Sequence, residues 1–173
     1  MCILVTGGGG YLGSCVVAEL RSRRHRVRVF DRFCFGQNLP ENTDGLEIIQ
    51  GDIRRLQEHP QLLDDVEVLL HFAGLSNDPS CALDPDMAHD VNVESTLELA
   101  KLAGERRVRR FVFASTCLVY GQGVFELLDE ASPANPVSVF GQSKRQAEQR
   151  LLRMGNPHFE PVVGRTATLF GVS

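Results

Sequence analysis

The segment Thr6-Gly7-Gly8-Gly9-Gly10-Tyr11-Leu12-Gly13 constrains the fold more than any other stretch of the chain. It follows a short apolar run at 2–6 and opens a helical pattern at 11–23. Glycines between a strand and a helix let the backbone turn tightly and approach a pyrophosphate. The phosphate charge then meets the N–H groups and positive dipole of the helix start, here Tyr11, Leu12 and Gly13. Gly7 and Gly10 hold the spaced turn positions, and Gly13 lets the helix lie close to the sheet. A flexible glycine turn with no ligand is the bland alternative, and the pattern alone gives it equal weight.

The rest of the chain repeats the alternation that this turn requires. Apolar runs rich in Val, Ile, Leu and Phe recur at 26–30, 46–50, 66–72, 109–115 and 161–169, and read as strands buried on both faces of a parallel sheet. Helical patterns lie at 84–105 and 138–154 as well as 11–23. In the last helix, Phe140, Ala147, Leu151 and Leu152 are expected to hold one face while Lys144, Arg145 and Glu148 face outward. Strand alternating with helix gives an α/β fold, a doubly wound parallel sheet of Rossmann type with helices on both faces. Residues 1–173 read as one domain, with loops at 33–45, 74–85 and 121–136 long enough for binding work.

Two acids extend the glycine signal. Asp31 ends the second strand 18 residues after Gly13, near the ~20-residue offset at which an acid accepts hydrogen bonds from an adenosine ribose. A carboxylate there repels a 2′-phosphate, which favours NAD over NADP, whereas the neighbouring Arg32 is suited to that phosphate. Gly51-Asp52-Ile53 follows the third strand and places Asp52 where an adenine amino group is met. Asp52 is equally an ordinary N-cap for a helix at 54–63.

Further residues carry a resemblance. His71-Phe72-Ala73-Gly74 follows the fourth strand, Val91-Asn92-Val93-Glu94-Ser95-Thr96 opens a helix, and Ser115-Thr116-Cys117-Leu118-Val119-Tyr120-Gly121 ends the fifth strand. Asp129-Glu130 and Pro136 precede Phe140-Gly141-Gln142-Ser143-Lys144, and Arg165 to Gly171 closes the series. With TGGGGYLG, Asp31 and Gly51-Asp52, these segments resemble the extended short-chain dehydrogenase/reductase family, the NAD-dependent epimerases and dehydratases of nucleotide sugars. The resemblance implies cofactor contacts from Gly7, Gly10, Tyr11, Leu12, Gly13, Asp31, Arg32, Asp52, Ile53, Phe72, Ala73, Gly74, Asn92, Ser115 and Lys144. It implies catalytic positions at Thr116, Phe140 and Lys144, and a nucleotide-sugar substrate. Family members pair through helices matched by 84–105 and 138–154, so a homodimer is implied too. No metal is implied.

Two departures qualify the resemblance. The family's catalytic tyrosine, which exchanges a proton with the sugar hydroxyl as hydride moves, is matched by Phe140. Loss of a positioned acid/base costs ~10²–10⁴-fold in rate, so the chain is expected to bind cofactor and fail in turnover as written. A Tyr→Phe replacement made to trap a complex, and a natural variant that uses another acid/base or has lost catalysis, both stay open. Extended members also continue past the match to Ser173 into a smaller lobe that holds the nucleotide-sugar. The family's dehydratases carry an Asp-Glu pair at the positions of Cys117 and Leu118, and its decarboxylases a Glu at Leu118. Neither set is present, which leaves 4-epimerase or 4-ketoreductase chemistry by hydride transfer at a sugar C4. The competing function is a non-catalytic module that senses or scaffolds through NAD(H).

Other residues weigh toward plain structure. Cys117 is expected as a small residue packed at a strand end rather than a thiol acid/base. His71 is expected as a strand-end histidine satisfied by backbone, and Tyr120 as a packing residue. The arginines at 21–28 and 106–110 are expected as solvated charges near helix C-termini. The net charge of −4 disfavours a nucleic-acid partner, and no apolar run reaches the ~20 residues of a membrane span. Five scattered cysteines, with no CxxC pair, point to a reducing cytoplasm.

Overall fold

The computed structural model describes residues 1–37, 39, 43–122 and 127–171. Parts of the expected loops 33–45 and 121–136 therefore lie outside the described residues. Six parallel strands form one sheet in the order β3-β2-β1-β4-β5-β6: β1 Cys2–Thr6, β2 Arg26–Asp31, β3 Leu46–Gln50, β4 Val66–His71, β5 Arg110–Thr116 and β6 Glu160–Thr166. The order reverses between β1 and β4, where Thr6 pairs with His71. Crevices at the carboxyl ends of such neighbouring strands are where open α/β sheets bind ligands.

Period-two alternation divides the core between the two sheet faces. Ile3, Val5, Val27 and Val29 pack with Val17 of α1 (Tyr11–Ser22). Leu4, Phe30, Leu69, Phe111 and Phe113 join the opposite core, with Leu97, Leu99 and Ala100 of α4 (Ser95–Glu105) and Ala147 and Leu151 of α5 (Val139–Leu152).

Several expected boundaries shift. The helix expected at 84–105 is three pieces: α3 (Pro85–His89), a π turn (Asp90–Glu94) and α4. Inside the expected loop 74–85 lies α2 (Asp78–Leu83), which starts because the Asn77 side chain caps Ser80 N–H and Pro79 presets the first turn. Asp84 caps α3 in the same way through Met87 N–H. The helix expected at 54–63 is a shorter 3-10 turn, Ile53–Glu58, kinked at Arg55. The final strand ends at Thr166, not Leu169.

The largest correction concerns the faces of α5. Lys144 and Glu148 point inward with Phe140, Ala147 and Leu151, whereas Leu152 is 50% exposed. Positions 140, 144, 147, 148 and 151 form one continuous helical stripe, so geometry put the two charges inside and left the burial cost to be met by partners. Arg28 departs from its solvated expectation too. It sits in mid-strand on β2, buried, and donates to Glu47 Oε2, Leu62 O and Asp64 O at 2.6, 2.9 and 2.8 Å. Arg21 instead meets backbone carbonyls at His25, Asp44 and Gly45.

Candidate active site

The glycine turn is closed to side chains. Gly7 has φ +73°, and a Cβ there would lie 2.5 Å from Ala73 N and 2.6 Å from Phe72 C. A Cβ on Gly13 would lie 2.1 Å from Gly7 O, so α1 packs directly on the turn. Gly10 donates to Gly7 O at 3.1 Å and caps α1 without a side chain. No acid occupies the first turn of α1, so the N–H groups at Tyr11, Leu12 and Gly13 keep their positive end for an anion.

Asp31 stands at the mouth of this turn, accepting from Gly9 N–H at 2.9 Å and Phe33 N–H at 2.7 Å. Beside it, Asp52 fulfils its N-cap reading by accepting from Arg54 N–H at 3.0 Å. The Arg54 guanidinium grips both carboxylate oxygens. Those hydrogen bonds outweigh the opposing effect of burial and hold the Asp52 carboxyl down at about 2. Arg32 is half-exposed and leans on Asp52 at 3.5 Å, so its guanidinium is turned toward that acid.

At the other end of the crevice, Phe72 N–H extends the ladder to Thr6 O at 2.9 Å. A Cβ on Gly74 would lie 2.8 Å from Asn92 Oδ1 and 3.5 Å from Lys144 Nζ. Asn92 is fully buried and spends its amide internally, on Leu75 N–H, Leu75 O and Ser143 Oγ. It clamps the chain after Gly74 to α5 rather than presenting a free group. Lys144 is 5% exposed and donates to Ala114 O at 3.0 Å, with Nζ 4.6 Å from the Phe113 ring centre. Burial lowers its pKa to about 8, opposed in part by the fields of Cys81 and Glu148.

Phe140 lies one turn before Lys144 on α5, with its ring centre 6.0 Å from Nζ. The ring packs with Cys81, Ala88, Leu75 and Val139 and carries no exchangeable proton. Thr116 caps the 3-10 turn Cys117–Tyr120 by accepting from Leu118 N–H at 3.2 Å. That bond uses a lone pair and leaves the hydroxyl proton available to another oxygen. Cys117 is exposed, against the expectation that it packs at the strand end.

His71 is fully buried and satisfied by side chains, not backbone. Its Nε2 is 2.8 Å from Thr96 Oγ1, and its Nδ1 is 2.6 Å from Thr6 Oγ1. Thr96 gives its one hydroxyl proton to Asn92 O, so Nε2 carries the ring proton and Nδ1 accepts from Thr6. Burial first, then the Lys144 charge, push the pKa to about 3, so the imidazole stays neutral near pH 7.

A buried charge cluster behind the site has no counterpart among the expected residues. Glu148, fully buried, accepts from Arg165 Nε and Nη2 at 3.1 and 2.9 Å and from Arg145 Nη1 at 3.0 Å. Burial alone raises a carboxyl, but the bonds from these arginines outweigh it and leave Glu148 below its ordinary range. The Ser115 hydroxyl is buried near the same carboxylate, whose charged form it favours, but it has no hydrogen-bond partner among the described residues. Arg165 donates in addition to Tyr120 Oη, which donates to Asp129 O, so Tyr120 packs as expected. The sequence signal for this cluster is the four-residue spacing of Lys144 and Glu148 on the stripe of Phe140. Among the described residues, no group of three or more His, Cys, Asp or Glu side chains is placed to hold a metal.

The family model for NAD-dependent epimerases and dehydratases matches residues 3–173. The chain is 37% identical over 129 residues to a UDP-glucose 4-epimerase of Klebsiella pneumoniae, covering 70% of this chain and 93% of that sequence. It is 34% identical over 151 residues to a UDP-glucose 4-epimerase of Rhizobium leguminosarum bv. trifolii, covering 86% of this chain and 46% of the relative. The solved NAD complex of the Thermus thermophilus UDP-glucose 4-epimerase superposes with a TM-score of 0.86 at 28% identity, covering 95% of this chain and 54% of that one. The chain thus spans about half the length of most of the curated relatives it matches.

Proposed function

The chain belongs to the NAD-dependent epimerase/dehydratase family, and from that premise we propose that residues 1–173 form the NAD-binding domain of a nucleotide-sugar epimerase or 4-ketoreductase. The observation that carries this reading is a bracket across the switch point of the sheet. A glycine cradle with no room for a Cβ at Gly7 or Gly13 lies at one end, with Asp31 at its mouth. Lys144 lies beside Gly74 at the other.

When bound, NAD supplies the hydride acceptor and donor for chemistry at a sugar C4. The residues of this chain do the rest. The first N–H groups of α1 take the pyrophosphate, and Asp31 accepts from the adenosine ribose while repelling a 2′-phosphate, which favours NAD over NADP. The Lys144 ammonium holds the nicotinamide ribose, and the Thr116 hydroxyl donates to the reacting sugar oxygen. Phe140 stands where the family's tyrosine moves the proton, so turnover is expected to fall by ~10²–10⁴-fold while cofactor binding persists. The domain is proposed to pair as a homodimer through α4 and α5 and to work in the cytoplasm; no helix among the described residues is long and apolar enough to cross a membrane.

Calorimetric titration tests the cofactor reading. NAD⁺ should bind with micromolar affinity and NADP⁺ about tenfold more weakly. Absence of binding by either would sink it. The packing of the Phe140 ring in a closed apolar cluster favours a second reading, a cofactor sensor without chemistry. Interconversion of UDP-glucose and UDP-galactose gained by Phe140→Tyr, in a chain that carries the substrate lobe the resemblance implies, would discard that alternative.

A further inference from the structure

We propose that Glu148 is a positioning residue: its buried carboxylate, locked by Arg165 and Arg145, is the fixed counter-charge that keeps the Lys144 ammonium ready for the nicotinamide ribose. The inference rests on the NAD reading above and extends it to a residue that touches neither cofactor nor substrate. Lys144 and Glu148 lie four residues apart on the inward stripe of α5, and both are buried. Side chains on a helix lean toward its N-terminus, which carries the Glu148 carboxylate back over the turn that bears Lys144. The two residues flank one dipeptide of β5. Lys144 Nζ donates to Ala114 O at 3.0 Å, and the Ser115 hydroxyl is buried near Glu148. The sheet register sets Arg165 of β6 against Ser115, which brings Arg165 Nε and Nη2 to the carboxylate at 3.1 and 2.9 Å. Arg165 is itself fixed by Tyr120, donating to its Oη at 3.0 Å with the guanidinium 4.9 Å from the ring centre. Arg145 Nη1 closes the cluster at 3.0 Å.

The charges around Lys144 show what this lock achieves. A buried ammonium with one carbonyl acceptor tends to lose its proton. From β4 it faces His71, which is neutral, and from β5 the Phe113 ring at 4.6 Å. From α2 it faces Cys81, whose thiol is pushed up first by burial and then by Asp78. Burial lowers Lys144 to about 8, and the groups that oppose this are Cys81 and Glu148. Of these two, only Glu148 is ionised near pH 7, because the arginine bonds hold its carboxyl below its ordinary range. The same bonds occupy the carboxylate, so its charge acts on Lys144 through space. Lys144 has three N–H groups, and among the described residues it gives one, to Ala114 O. The others are left for ribose hydroxyls. Without the carboxylate, two guanidinium groups would stand near a buried ammonium, which disfavours the charge twice over.

The test is calorimetric titration of NAD⁺ into the 173-residue chain between about pH 6 and pH 9, with ADP as the ligand that lacks the nicotinamide ribose. The wild-type chain should lose NAD⁺ affinity severalfold around pH 8. Glu148→Gln should bring that midpoint down to about 7 or below, with affinity at pH 6 close to wild type and ADP unaffected throughout. Glu148→Asp, which keeps the charge, should restore a midpoint near 8. If Glu148→Gln folds and its midpoint stays at that of the wild type, Glu148 is only structural and the inference is wrong, while the cofactor reading survives. A wild-type affinity that is flat across the range overturns it as well, since no titrating ammonium is then being held. If the wild-type chain binds no NAD⁺ at any pH, the cofactor reading fails and takes this inference with it. Melting temperatures accompany each variant. Should Glu148→Gln not fold, Arg145→Met decides. With one guanidinium fewer on the carboxylate, the midpoint should rise by about half a pH unit; an unchanged or lower midpoint overturns the proposal.

Discussion

The two ends of the crevice are held in place by different means. At the glycine turn, the backbone itself does the holding: Gly7 rests on Ala73 and Gly13 on Gly7, while Asp31 is oriented by nearby backbone N–H groups. At the Lys144 end, side chains from distant parts of the chain do it. Lys144 rests on β5, Asn92 ties the chain after Gly74 to α5, and Glu148 gathers Arg165 from β6 and Arg145. The first arrangement tolerates no added atom. The second tolerates no lost charge. Damage at the glycine end should thus appear mainly in cofactor affinity, and damage at the Lys144 end mainly in stability.

The contrast breaks most visibly at Glu148. Glu148→Ala leaves Arg165 largely buried without its partner, which should cost about 3–5 kcal/mol in stability. Chemical denaturation measures it, and a loss below about 1 kcal/mol would mean that the cluster is solvated in solution. Gly13→Ala drives a methyl into Gly7 O and should cost about 1–3 kcal/mol. Its larger signature is the loss of measurable NAD⁺ binding by a chain that still melts cooperatively. Retained micromolar binding would show that the turn can yield, contrary to its close packing.

The smallest expected effect sharpens the comparison by pH. Lys144 has its pKa lowered to about 8, so its ammonium is lost as pH rises through that value. NAD⁺ affinity should decline severalfold across that range, while ADP, which lacks the nicotinamide ribose, should show no such step. Lys144→Met should remove the step from NAD⁺ as well. For stability the sign is opposite. A lysine whose folded pKa is below its unfolded 10.5 penalises folding below about 8, and the penalty fades as pH climbs from about 8 toward 10.5. Burial sets how far this window moves, and Cys81 and Glu148 oppose it in part.

How much of this is legible depends on sequence distance. The strand, glycine turn, helix and terminal Asp31 lie within the first 31 residues, and their spacing alone reports a cradle of that shape. Asp52 is ambiguous in the sequence between cap and adenine contact; the structure shows the cap, with Arg54 gripping both carboxylate oxygens. Lys144 and Glu148 are misplaced outward when charge alone guides the assignment to the surface. Helical geometry puts them on the stripe of Phe140 regardless, and partners for them lie at 114, 145 and 165. Arg28 is misread for the same reason, since its acceptors at 62 and 64 are more than 30 residues away.

Periodicity and glycine spacing were enough to specify a doubly wound parallel sheet with a ligand crevice, because hydrophobic alternation and backbone freedom act between near neighbours in the chain. That Phe140 stands at the family's tyrosine position is an implication of the resemblance, read from the identity of one residue in a motif. Which charges are buried, which proton His71 carries and how Asp52 is aimed were settled only by tertiary packing. A buried charge is stable only with a partner, and those partners come from strands and helices brought together by the sheet.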